Sequence, residues 1–393
     1  MTDDWQDRAK ALADALVRSG ELRSAEWRRA IAGVPRHELV PRYYRQRDDG
    51  SWSTVDGATV GRDEWLSTVY SDETLITSVT DTHPRWGTGQ IAVSSSTAPG
   101  LMCTMLEALD VTDGHTVLEI GTGTGYNAAL LCHRLGSEHV YSVDRDGQLV
   151  AVARTRLAAL GYTPTLVACD GAVGLASHAP YDRIIATCAV GAIPRPWIEQ
   201  VRDGGLVLAD LKAGGVAGNL VLLQRDGDSA SGRFLPSWGG FMTMRHDRDD
   251  GSDPPRQPRR TRATGSERHT TAPAEPWRYT VPWFLAQLAM PSHLSYGQRI
   301  RDDGSAGEIF LSATDGSWCE VASTAEADGS RRVVEAGPAS LWTRWETAYA
   351  DWTRYGRPGW ERLGLTVDHE GTHTVSLDHP DGVHRWQLDA GSP

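Results

Sequence analysis

Three glycines at alternate positions, Gly121, Gly123 and Gly125, follow the apolar run Val117-Leu118-Glu119-Ile120 and precede Tyr126-Asn127-Ala128-Ala129-Leu130-Leu131. The order is strand, carboxylate, glycine turn, helix. Glycine lets a backbone turn tightly and approach a ligand with no Cβ in the way. The spacing is G-x-G-x-G rather than the G-x-G-x-x-G of a dinucleotide phosphate loop. A strand–turn–helix with no ligand, or another nucleotide loop, stays open on these residues alone. Two further acids close apolar runs: Asp144 after Val140-Tyr141-Ser142-Val143, and Asp170 after Thr165-Leu166-Val167-Ala168-Cys169. An acid at the end of a second parallel strand is placed to accept hydrogen bonds from ribose hydroxyls, and one on the third suits an adenine edge. Upstream, Ser94-Ser95-Ser96-Thr97-Ala98-Pro99 gathers hydroxyl groups just before a helical segment.

The elements that must carry these residues alternate. A helix is expected from Gly147 to Leu160, stopping at Gly161, and a fourth strand at Tyr181–Thr187. Strands alternating with helices of this length form a parallel α/β sheet, with ligands at the carboxyl ends of the strands. Upstream, two short helices are expected at residues 5–18 and 25–31. Val34-Pro35-Arg36-His37-Glu38-Leu39-Val40-Pro41, bracketed by prolines, reads as extended. Residues 45–66 and 80–90 read as polar insertions or loops, with an ordered turn at residues 69–76.

The chain has 393 residues, so two domains are expected. With 51 acidic and 39 basic residues its formal charge is −12, which argues against a general nucleic-acid binder. Five scattered cysteines, Cys103, Cys132, Cys169, Cys188 and Cys319, form no C-x-x-C pair and fit a reducing cytoplasm. No apolar run approaches the roughly 18 residues that span a bilayer. A domain over residues 1–245 is expected to hold all the motifs above, followed by a flexible linker at 246–276. Residues 277–393 hold eight of the fifteen tryptophans and read as a C-terminal α+β domain. There Trp342, Trp345, Tyr349 and Trp352 share one helical stripe, expected to be core rather than a peptide platform. His369 and His373 flank Gly371 in a strand context, which argues against a metal pair. No metal site is expected.

The glycine run with its preceding acid resembles motif I of the class I S-adenosylmethionine-dependent methyltransferases. More of the chain then falls into place. Val34-Pro35-Arg36-His37 with Val40-Pro41, Tyr70-Ser71-Asp72, Leu118 to Tyr126, Gly161-Tyr162, Asp170-Gly171 and Ala179-Pro180-Tyr181-Asp182-Arg183-Ile184-Ile185 resemble protein-L-isoaspartate O-methyltransferases. The resemblance covers residues ~30–225. It implies a Rossmann-like doubly wound sheet and S-adenosyl-L-methionine as cofactor. Glu119, Gly121, Thr122, Gly123, Gly125, Tyr126, Asn127, Asp144, Arg145, Asp170 and Gly171 are the implied cofactor residues. Tyr70, Asp72 and Arg183 are implied on the substrate side.

The implied chemistry is methylation of a peptide carboxylate. That group is ionised at pH 7 and already nucleophilic, so positioning rather than a strong base is the main need. In the family a Ser-Gln-Pro sequence brings a hydroxyl to the substrate carboxylate. Here Thr97-Ala98-Pro99 takes that place behind a serine run, so Ser94, Ser95, Ser96 and Thr97 are the candidate catalytic group. Thr97 would otherwise serve as N-cap of the helix opening at Pro99.

The added tail and insertions look like extended homologues that modify ribosomally made peptides crosslinked by ATP-grasp ligases. In those, an Asp ester closes to a succinimide. That resemblance makes a crosslinked precursor peptide the expected partner, with repair of isoaspartyl proteins as the alternative. A third reading, an inactive cofactor-binding module, sits poorly with the intact glycines and acids.

Overall fold

The computed structural model describes residues 4–81, 89–214, 217–246, 265–291, 294–301 and 303–388. It divides into two compact units. The first comprises Met1–Cys188, Pro194–Ala209 and Met244–Asp247; the second comprises Ala189–Ile193, Asp210–Thr243 and Arg248–Pro393.

The first unit opens with α1 (Asp4–Ser19) and α2 (Ala25–Gly33), whose apolar faces bury Leu12, Leu16, Trp27 and Ile31. The proline-bracketed box is not extended. It forms a helical turn, α3 (Arg36–Leu39), with Pro35 at its N-cap. Proline costs nothing there, because the first turn leaves its N–H groups unpaired anyway. The polar insertion is likewise ordered. β1 (Arg42–Gln46) and β2 (Trp52–Asp56) pair as a hairpin, followed by α4 (Arg62–Val69). Of the loop expected at 80–90, residues 82–88 lie outside the described residues.

β3 (Leu75–Asp81) and β4 (Gln90–Ser96) complete an antiparallel sheet of order β2-β1-β3-β4, with β4 at its edge. The β3–β4 register shifts between Ile76 and Ser78 and again between Ser78 and Val79, so the ladder is bulged beside the serine run. α5 (Pro99–Ala108) leads into the parallel core. Its elements are β5 (Val117–Ile120), α6 (Tyr126–Leu135), β6 (Val140–Asp144), α7 (Gly147–Ala159), β7 (Thr165–Ala168), β8 (Tyr181–Val190), α8 (Arg195–Gln200) and β9 (Val201–Ala213). The order β9-β8-β5-β6-β7, with parallel pairing of β5 to both β6 and β8, is the expected doubly wound α/β sheet.

In the second unit β10 (Ala217–Asp226) and β11 (Ser229–Phe234) form a hairpin. β12 (Ser266–Thr270), α9 (Thr280–Gln287), β13 (Ser295–Ile300), β14 (Ala306–Ser312), β15 (Trp318–Val321), β16 (Arg331–Ala336) and α10 (Leu341–Arg354) follow, then β17 (Leu363–Val367), β18 (His373–Leu377) and β19 (Arg385–Leu388). Trp342 and Trp345 on α10 are fully buried, and Trp345 meets Trp283 edge-on at 6.1 Å. Trp342 and Trp345 therefore pack inside this unit, while Tyr349 and Trp352 of the same stripe are half-buried. His373 donates from Nδ1 to the Gly371 carbonyl and accepts the Ile193 N–H at Nε2, so both ring nitrogens are committed.

Two expected boundaries move. The compact division falls at Asp210 rather than residue 245, because β11 pairs with β17 (Ala230 opposite Val367), giving its backbone groups their partners within the second unit. The expected linker is strand at its end. β12 pairs with β16, and Arg268 holds the buried carboxylate of Glu335 at 2.8 Å. Few apolar residues are needed where a charge-assisted bond anchors the strand. Residues 247–264 of that linker lie outside the described residues. Among the described residues no helix is long and apolar enough to cross a membrane.

Candidate active site

The glycine loop has the backbone its residue types require. Gly121, Gly123 and Gly125 have φ of 100°, 50° and 85°, all in the region that side chains disfavour. A Cβ on Gly121 would lie 2.6 Å from the Thr187 hydroxyl, which donates to the Gly121 carbonyl at 2.8 Å. The loop is stitched to the second strand, with Gly121 N–H on the Val143 carbonyl at 2.8 Å and Gly123 N–H on Asp144 Oδ2 at 2.9 Å. Asp144 is half-buried at the carboxyl end of β6 and keeps acceptor capacity for ribose hydroxyls. Arg145 follows it, also half-buried. A side-chain-free cradle beside a carboxylate fits S-adenosylmethionine.

Glu119, Thr122, Tyr126 and Asn127, all expected to touch the cofactor, have buried side chains within and around the loop. Glu119 is fully buried, accepting Asn127 Nδ2 at 2.8 Å and the Ser142 hydroxyl at 2.6 Å; Ser142 in turn meets the Thr122 hydroxyl at 2.7 Å. This chain braces the loop from beneath. Burial pushes the Glu119 carboxyl up to about 7, with Asp144 adding repulsion, although both hydrogen bonds favour the ionised form.

Asp170 caps the turn at Ala172 N (2.9 Å) and meets His246 Nδ1 at 3.1 Å. Trp197 Nε1 donates to the Gly171 carbonyl at 2.8 Å, and a Cβ on Gly171 would lie 3.1 Å from Met244 Sδ. Arg245 reaches the Val93 carbonyl on β4 at 3.3 Å. The Met244–His246 segment thus touches both the Asp170 turn and the hydroxyl-bearing strand. Thr187, Ser142, Trp197 and His246 carry no motif of their own, so sequence reasoning passed over them.

The hydroxyl run splits by strand alternation. Ser94 and Ser96 are buried: Ser94 Oγ accepts from Thr77 at 3.2 Å, and Ser96 Oγ accepts from Arg36 at 3.4 Å. Ser95 and Thr97 are half-exposed, and the Ser95 carbonyl lies 3.8 Å from where a Cβ on Gly123 would sit. The run and the cofactor loop therefore meet.

Thr97 is not the helix cap. Asp72 is: its Oδ1 accepts Gly100 N–H at 2.6 Å in the first turn of α5. Asp72, expected to bind substrate, spends Oδ1 on that helix while the residue stays exposed. Tyr70 is buried with its hydroxyl 2.7 Å from His37 Nδ1, so it is core rather than substrate-facing. Arg183 is also displaced from its expected role. It is buried at the start of β8, opposite Val117, and donates to the carbonyls of Leu109 (2.7 Å) and Asp110 (2.8 Å). That is the amino end of the parallel strands, remote from the glycine loop at their carboxyl ends.

The family profile described as protein-L-isoaspartate(D-aspartate) O-methyltransferase matches residues 54–233. A protein-L-isoaspartate O-methyltransferase of Methanothermobacter thermautotrophicus is 34% identical over 56% of this chain and 86% of its own length. Protein-L-isoaspartate O-methyltransferase 1 of Archaeoglobus fulgidus is 31% identical over 61% of this chain and 96% of its own length. A solved protein-L-isoaspartate O-methyltransferase shares the fold with a TM-score of 0.54 at 22% identity, covering 94% of this chain and 100% of its own. The chain belongs to the protein-L-isoaspartate(D-aspartate) O-methyltransferase family and is an S-adenosylmethionine-dependent protein carboxyl methyltransferase.

Proposed function

We propose that the chain methylates the free carboxylate of an isoaspartyl residue in a peptide or protein, the substrate class named for its relatives. The observation that carries this reading is the meeting of β4 with the glycine loop: Ser95 faces Gly123 while Asp72, not Thr97, caps α5. Among the described residues the Thr97 hydroxyl has no hydrogen-bond partner, which suits it to donate to a substrate carboxylate. Gly121, Gly123 and Asp144 would hold the cofactor, which supplies an electrophilic methyl group when bound. The ionised carboxylate needs no general base, and the residues' task is alignment and exclusion of water. The five free thiols suit work in a reducing cytoplasm.

The second reading is methylation of an unmodified Asp in a crosslinked, ribosomally made peptide, followed by succinimide closure. The insertions near residues 45–66 and 80–90 and the segment Phe241-Met242-Thr243-Met244-Arg245 are the features that suggest it. The long tail does not separate the two readings, since a solved structure shares the fold over 94% of the chain. Mass spectrometry after incubation with generic isoaspartyl peptides should show a methyl ester at every one. No ester on those peptides, together with loss of one water from a crosslinked Asp-containing precursor, would transfer the assignment to the second reading.

A further inference from the structure

We propose that Arg36 is a positioning residue for methyl transfer, fixing the segment that presents Thr97 against the helix that follows the glycine loop. The guanidinium is fully buried, yet among the described residues no carboxylate lies within ion-pair distance. Its two terminal nitrogens donate to backbone carbonyls of two separate segments, while the buried Nε has no partner among the described residues. Nη1 serves Val69 (2.9 Å) and Ser71 (3.1 Å); Nη2 serves Glu73 (3.1 Å), Thr97 (3.2 Å) and, at 3.4 Å, both Ser96 oxygens.

On its other side the guanidinium stands 5.4 Å from the centre of the Tyr126 ring, the first residue of α6 directly after Gly125. Two more bonds close the same clamp. Thr74 Oγ1 accepts Ala98 N–H at 3.1 Å, and Asp72 Oδ1 accepts Gly100 N–H. Apolar side chains fill space more cheaply than an unpaired cation, whose desolvation penalty is large. What arginine adds is a rigid planar fork that holds several acceptors at fixed separation, which the point charge of lysine cannot do. Here that fork sets the distance from the 69–73 turn to Ser96–Thr97, and stacks the assembly on the helix that ends the cofactor loop. An error of about 1 Å in such alignment costs about a hundredfold in rate.

The inference rests on carboxyl methyl transfer with Thr97 beside the loop, and not on which carboxylate is taken. The test compares Arg36→Lys and Thr74→Val with the unaltered full chain. Turnover of an isoaspartyl peptide, calorimetric affinity for S-adenosylhomocysteine, and hydrogen exchange at the Ala98 and Gly100 amides are measured. Arg36→Lys should lower kcat about a hundredfold and leave S-adenosylhomocysteine affinity within about threefold. The two amides should exchange about tenfold faster. Thr74→Val, which loosens the clamp from an exposed side, should show the same pattern with a drop in kcat of about fivefold.

Unchanged kcat per folded molecule, or cofactor affinity falling in step with kcat, would overturn the proposal. If Arg36→Lys does not fold, Thr74→Val decides: unaltered kcat there overturns it. If the unaltered chain leaves the isoaspartyl peptide untouched, the substrate reading falls separately. The exchange rates then decide on Arg36, with unchanged protection overturning it.

Discussion

The cofactor half and the proposed substrate half of the candidate site are held by different means. On the cofactor half, the glycine loop depends on backbone conformations that exclude side chains, braced from below by the Glu119–Ser142–Thr122 hydrogen bonds. On the substrate half, β4 and the turn at 69–74 are ordinary backbone, tied together by side chains from elsewhere: Arg36, Asp72 and Thr74. The first half stores its geometry in local residue choice, the second in long-range tethers. Damage to the first should show in binding and stability, and damage to the second in turnover.

The largest effect is expected beneath the loop. Burial pushes the Glu119 carboxyl from an ordinary 4.5 up to about 7. The fold therefore favours its protonated form. The stability this confers is full below pH 4.5 and is lost as pH rises through about 7, amounting to about 3 kcal/mol. Glu119→Gln stays neutral, so the melting-temperature difference between the variant and the parent should widen from pH 5 to pH 8. Parallel pH curves would show that the carboxyl ionises normally and that the brace is not a buried acid.

Gly121→Ala comes next. Its Cβ would meet the Thr187 hydroxyl at 2.6 Å on a backbone with φ of 100°, so S-adenosylhomocysteine affinity should fall about a hundredfold. Calorimetry giving an affinity within threefold would mean the loop has room to adjust, and the contrast between the halves would blur. Thr97→Val should instead cut kcat about tenfold with cofactor affinity and melting temperature nearly unchanged, because Asp72 already caps the helix. Loss of stability in proportion to activity would return Thr97 to a structural role. Smallest of all, Arg183→Lys should lower the melting temperature while leaving turnover per folded molecule intact, since its bonds go to Leu109 and Asp110. A selective rise in peptide KM would put Arg183 back at the substrate.

This contrast also accounts for what could be read from residues alone. Glycines at positive φ and acids at strand ends are required by identity, so the glycine turn and the α/β sheet were legible. Arg36 binds carbonyls, which every residue offers, from positions 33 to 61 residues away; its partners leave no mark in the sequence. The same blindness hid Asp72 as the side chain that caps α5. A cap supplied from 28 residues upstream is invisible to a rule that looks just ahead of the helix. The α3 turn was missed because two prolines suggested extended chain, and the β1–β2 hairpin because its polar residues pair by backbone. The unit boundary was misplaced for a related reason, as pairing between β11 and β17 joins residues more than 130 apart.

The contact between His246 and Asp170 means that a ligand seated on that side of the turn would exchange for a bond rather than add one. A molecule that takes the imidazole's place on Asp170 must first displace it. What is measured as affinity is then the surplus of one hydrogen-bonded pair over another. Ligands that bring no N–H to the carboxylate strand it without its former partner, and they are rejected more strongly than their own missing bond would suggest. Discrimination at this position is therefore sharpened by the bond the protein already makes to itself.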